Sequence, residues 1–148
     1  MARLPEPQPG LVISYAYLWS EESDRGQVEG RKDRPCAIVL ALDRQAALFG
    51  DTRQVAVAPI THIQPLNLGV AVEIPTRVKL HLGLDGERSW VILNEVNVFG
   101  WPGFDLRPIR RGEGRVDYGF LPPRFFQVLI EKFKELDAIG DVGKIDRD

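Results

Sequence analysis

Seven consecutive apolar residues, Cys36-Ala37-Ile38-Val39-Leu40-Ala41-Leu42, follow directly on Arg34-Pro35 and constrain the fold more than any other stretch. A run of this length is too short to cross a bilayer, which takes about 20 residues, and matches a strand. It shows no polar–apolar alternation, so it predicts a central strand covered on both faces. Pro35 cannot donate to a sheet ladder and suits the mouth of such a strand. A strand of this kind needs partners on both edges and a layer over each face, and the rest of the chain has to supply them.

Candidate partners lie on either side. Leu11 to Trp19 alternates around Ile13, Tyr15, Tyr17 and Trp19, with the aromatic and β-branched enrichment of a strand. Gln54 to Thr61 reads as a third strand, reached through a link containing Gly50-Asp51. Val70 to Ile74 and Ser89 to Glu95 read as a fourth and a fifth. Pro75 at a first turn and Gly83 as a stop bracket a short helix over Thr76 to Leu82. The best helical pattern comes late: Phe125, Phe126, Leu129, Ile130, Phe133 and Leu136 recur at three- and four-residue spacing between Pro122-Pro123 and Gly140. Residues 20 to 34 form a long polar loop with Gly26 and Gly30, a length that is often functional or mobile.

These elements predict a mainly β protein, a β-barrel with α additions. The expected form is a partly open barrel of about five to seven strands, with a short internal helix and a C-terminal helix. Periodicity alone leaves both an SH3-like and an OB-like barrel open. Residues 1–9, with three prolines, are expected to form a flexible arm, residues 10–140 one domain, and residues 141–148 a frayed polar tail.

Composition narrows the function classes. Hydrophobic residues make up 44% and charged residues 27%, as in soluble globular proteins. The opening residues lack an apolar leader, and one cysteine allows neither an internal disulfide nor a Cys/His metal cluster. A cytoplasmic protein with no membrane association, no metal and no cofactor is the expectation. The net charge of −2 argues against indiscriminate polyanion binding, yet it is unevenly spread. From Glu131 onward there are six acids and four bases, which accounts for the whole −2. The remainder is neutral and holds two arginine-rich stretches, Arg25 to Arg34 and Arg107 to Arg115. Such patches can meet phosphates or simply be solvated loops.

Pro9-Gly10, Gly30, Arg34-Pro35, Pro59-Ile60-Thr61 and Ser89-Trp90-Val91-Ile92-Leu93 occur in an order, spacing and strand context that resembles the PemK/MazF family of toxin–antitoxin ribonucleases. The resemblance runs from Pro9 into the terminal helix that starts at Pro123. It implies an SH3-like barrel, a homodimer, and metal-independent endoribonuclease activity on single-stranded RNA. It also implies a cognate antitoxin protein whose disordered tail lies across the RNA site. The family's catalytic arginine falls on Arg34 and its catalytic threonine on Thr61. In that chemistry the 2′-hydroxyl attacks phosphorus, and the protein stabilises the charge that develops. Arg34 offers phosphate a planar, bidentate fork, and Thr61 offers one hydroxyl donor. Read alone, Arg34 is a surface arginine pairing with Asp33 or Glu29, and Thr61 a strand-end residue capping a turn.

His62 is a candidate for proton transfer, or else faces solvent, and His81 sits on the surface of the short helix. Arg31, Lys32, Arg107, Arg110 and Arg111 are candidate RNA contacts. Trp101 is either a platform for stacking a base or a core aromatic. Asn94-Glu95-Val96-Asn97 departs from the family pattern, and Glu95 there would repel phosphate. Two other readings remain: a binding protein that keeps the fold without the reaction, as in the gyrase-inhibiting CcdB branch, and a nucleic-acid-binding module without cleavage.

Overall fold

The apolar run lies within β2 (Arg34–Ala46), which is paired antiparallel on one edge with β1 (Leu11–Tyr15) and on the other with β3 (Gly50–Thr61). This computed structural model describes residues 4–26, 32–46 and 50–147. β3 is the hub of the sheet. Its first part pairs with β6 (Glu95–Trp101), and its last residues pair with β5 (Trp90–Ile92). β5 carries β4 (Ala71–Glu73) on its far side, and β7 (Asp117–Phe120) closes the outer edge of β1. β8 (Gly143–Asp146) runs parallel to β6. All eight strands belong to one mostly antiparallel sheet that does not close on itself, giving the expected mainly β, barrel-like fold with helical additions.

Packing on the two faces of β1 and β2 explains the unbroken apolar run. Leu11, Ile13, Tyr15, Cys36 and Ile38 point into one core with Tyr17, Val55, Val57 and Phe99. Val12, Ala37 and Val39 point the other way, into a second core built with α2 (Thr76–Leu82) and α3 (Pro123–Ala138). Alternation therefore exists, but both faces are apolar, so it is invisible as a hydropathy pattern. The double burial ends at Val39: Leu40 and Leu42 are exposed. α3 buries Phe125, Leu129, Phe133 and Leu136, the stripe that its spacing predicts. Each such side chain contributes roughly 1.5–3 kcal/mol by leaving water. α2 ends where Gly83 adopts φ 71°, a left-handed conformation that favours glycine.

Four elements depart from the sequence reading. Ser20–Asp24 forms a short helix, α1, inside the stretch read as a loop. β6 is a separate strand starting at Glu95, because Val96 and Phe99 bury themselves against β3, and β7 is a further strand that the sequence reading did not place. The tail is not frayed: β8 hydrogen-bonds to β6, and Arg147 just beyond it is almost fully enclosed. These additions bring the count to eight strands among the described residues, above the expected five to seven.

Candidate functional site

Antiparallel register builds the site. Cys36 of β2 stands opposite Pro59 of β3, the last pair of their register, so Arg34 and Thr61, each two residues further on, lie at the same end of the two strands. At this end of the strands a cleft of about 340 Å³ is lined by Trp19, Lys32, Asp33, Arg34, Pro35, Ile60, Thr61, His62 and Ile63. Lys32, Arg34, Thr61 and His62, distant in sequence as two pairs, thus share one cleft. Arg31, like Gly30 of the family pattern, lies outside the described residues.

The Arg34 guanidinium sits over the indole of Trp19, with Cζ 5.0 Å from the ring centroid. Its Nε is buried and has no hydrogen-bond partner. A buried donor left unsatisfied costs about 1–3 kcal/mol. Thr61 Oγ1 accepts a hydrogen bond from the Ile63 N–H at 3.1 Å, which fixes the oxygen and leaves its own O–H to donate.

Trp19 is held by a clamp that sequence reasoning missed. Asn97 is fully buried; its Oδ1 accepts from Leu18 N at 2.9 Å and its Nδ2 donates to Leu18 O at 2.8 Å. Glu95 Oε1 accepts from Tyr17 OH and from Ser20 N, both at 3.0 Å. Glu95 is thereby committed to positioning the 17–20 segment. Burial, and then the Glu95 charge, push the Tyr17 phenol well above its ordinary value.

His62 stands at the end of β3, between the Arg34 cleft and a second cleft of about 220 Å³ lined by Lys79, Asp85, Ser89 and Tyr118 among others. Its ring is engaged on both sides. Nδ1 lies 3.0 Å from Ser89 Oγ and 3.1 Å from Arg88 O, and Nε2 lies 2.9 Å from Asp85 Oδ2 and 3.4 Å from Glu87 Oε2. Proton transfer by His62, one of the two roles weighed from the sequence, has to compete with these contacts. Beneath it Lys79, only 4% exposed, donates to Asp85 Oδ1 and Ser89 Oγ at 2.8 Å each, and to Glu87 O. The Lys79 ammonium holds the Asp85 carboxyl below the ordinary carboxylate value. The one sequence signal for this cluster was a lysine on the core-facing side of a short helix.

The remaining candidates separate. Arg107 donates to Phe104 O and Leu106 O at 2.8 and 3.2 Å and lies 3.7 Å from Asp33, so it reaches the rim of the Arg34 cleft. Arg110 and Arg111 are exposed on the turn bridged by the Ile109 N–H to Arg115 O bond. Trp101 does not join the cleft. It pairs across from Arg53, eight residues along β3 from Thr61, about 26 Å at ~3.3 Å per residue. Its ring packs against Phe99 at 6.3 Å, the core-aromatic alternative of the two weighed from sequence. His81 is exposed on α2.

Fold and site together define a mainly β, open-barrel protein with a cationic cleft where β2 begins and β3 ends. No family model, curated protein or solved structure matches the chain.

Proposed function

We propose that this chain is a PemK/MazF-like toxin, an endoribonuclease that cleaves single-stranded RNA with Arg34 and Thr61. The observation that carries the reading is that Arg34 and Thr61 line one cleft, with the Arg34 Nε left without a hydrogen-bond partner. The 2′-oxygen attacks phosphorus and the bond to the 5′-oxygen breaks, leaving a 2′,3′-cyclic phosphate and a 5′-hydroxyl. The proton lost by the 2′-hydroxyl balances the one gained by the leaving oxygen, and water can carry it. Arg34 and Thr61 donate to the phosphorane oxygens, where charge develops, and Lys32 holds a flanking phosphate. The charge stabilisation comes from the guanidinium, so the step needs no metal.

A cognate antitoxin and a homodimer belong to the same proposal. Ile63, Leu66 and Leu68 beside the cleft are exposed, as are Leu40 and Leu42 on β2, and both surfaces suit apolar partner segments. The test is incubation of purified protein with a long single-stranded RNA in EDTA, beside Arg34→Ala. Discrete cuts with cyclic-phosphate ends, slowed by about 10²–10³-fold in the variant, support the proposal. Intact RNA at micromolar protein overturns it and favours the non-catalytic binding reading.

A further inference from the structure

His62, Asp85 and Glu87 bring three ligand-type atoms together on the rim between the two clefts. Nε2 of His62, a carboxylate oxygen of Asp85 and one of Glu87 all lie within 4.8 Å of one another, and all three residues are exposed. Tetrahedral ligands bound to zinc at ~2.0–2.1 Å stand about 3.3 Å apart. The His62–Glu87 separation of 3.4 Å already has that value, and the His62–Asp85 separation of 2.9 Å needs to open by only ~0.4 Å.

Groups outside the triangle orient two of its corners. Nδ1 of His62 faces the Arg88 carbonyl at 3.1 Å. Ser89 Oγ lies 3.0 Å from the same nitrogen; with the proton on Nδ1, given to the Arg88 carbonyl, the Nε2 lone pair turns toward the two carboxylates. Asp85 Oδ1 is taken by Lys79 Nζ at 2.8 Å and by the Glu87 N–H at 3.1 Å, which leaves Oδ2 for the triangle. Arg88, the nearest other cation in sequence, is occupied by Glu73 through two bonds of 2.8 Å. A lone pair facing two anionic oxygens at these distances is repulsive until a cation stands between them, either a proton or a metal ion.

We propose that His62, Asp85 and Glu87 form a site for a divalent first-row transition ion, with zinc as its best-fitting occupant. One imidazole nitrogen with two carboxylate oxygens suits zinc and its neighbours, whereas an all-oxygen set would suit magnesium or calcium. Three protein ligands leave a fourth position open to water or to an incoming oxygen. His62 also lines the Arg34 cleft, so an ion held here stands beside any phosphate bound there. The Lys79 ammonium offsets part of the Asp85 charge, which weakens the hold on a cation.

The inference is independent of the ribonuclease reading, and its test does not use RNA. Full-length protein is stripped with EDTA, exchanged into chelator-free buffer and titrated calorimetrically with Zn²⁺; Co²⁺ is followed in parallel by visible absorption. One Zn²⁺ per chain is expected, with the absorption of a low-coordinate Co²⁺ complex. His62→Gln and Glu87→Gln each weaken binding by at least about tenfold, while His81→Gln leaves it unchanged. His62 and Glu87 are exposed, so both variants keep the fold, which circular dichroism checks. No saturable binding at submillimolar Zn²⁺, or binding unaffected by both variants, overturns the site.

Discussion

Arg147→Met tests whether the C-terminal strand is part of the fold and, through it, part of the site. The Arg147 side chain is 3% exposed, and its Nη2 lies 3.1 Å from Oδ2 of Asp105, itself 18% exposed. Nη1 donates to Ala16 O at 2.9 Å and Asn97 Oδ1 at 2.8 Å, and the guanidinium stands over the Tyr15 ring at 5.5 Å. Removing one member of a buried ion pair costs about 3–5 kcal/mol, because the other is left unpaired. Water reaches Asp105, and methionine keeps the packing of the aliphatic stem, so the lower end applies, ~3 kcal/mol. For a chain of this size that lowers Tm by roughly 6–12 °C. Urea unfolding followed by tryptophan fluorescence should show a lower midpoint at unchanged slope. Arg147→Lys should recover only part of the loss, since an ammonium cannot reproduce the guanidinium fork. A loss below ~1 kcal/mol, typical of a solvent-exposed pair, would refute the reasoning. Arg147 meets Ala16 and Asn97, Asn97 clamps Leu18, and Trp19 seats Arg34, so the RNA cleavage proposed above should fall with stability.

Trp19→Leu removes the surface under Arg34, a partly desolvated cation–π contact of ~1–2 kcal/mol; the urea midpoint should fall, because Trp19 also packs on the core, and the proposed cleavage should drop as Arg34 loses its seat, whereas an unchanged midpoint would contradict this. The Tyr17 phenol is pushed up by burial and by Glu95, so its contribution to stability is full below the ordinary value of 10.0 and is lost as pH rises above it. An ultraviolet titration of phenolate should therefore show Tyr17 ionising only as the protein unfolds at alkaline pH, and a reversible native titration near pH 10 would contradict this. The Cys36 thiol is fully buried, and that burial pushes its pKa up, so it stays un-ionised. A thiol reagent should leave it unmodified in native protein and react fully in denaturant, and rapid native labelling would count against this core.

Element type was legible wherever local chemistry decided it. Pro75 and Gly83 bracket α2 as expected, and the phenylalanine and leucine spacing of α3 maps onto its buried face. Arg34 and Thr61 were legible as candidates through the family resemblance, and as neighbours because an Arg-Pro opening one strand and a Pro-Ile-Thr closing the next must share a sheet end if the two strands pair antiparallel. β8 was not legible: Gly143–Asp146 is polar and short, and it is a strand only because β6 offers it an open edge. Glu95 read as an acid that would repel phosphate, yet its carboxylate is spent on Tyr17 and Ser20, partners more than seventy residues away in sequence.

By itself the sequence determined the strand-rich architecture and the two longer helices, because these rest on side-chain period, proline and glycine geometry, and burial of apolar area, whereas Arg34 and Thr61 stood out only through the family resemblance. Tertiary structure alone decided that Trp19 lies under Arg34, that Asn97 and Arg147 hold Trp19 in place, and that His62 meets Asp85 and Glu87. Those contacts join residues far apart along the chain through directional bonds a few ångströms long. No local pattern encodes such bonds; they form only once the sheet has set its register.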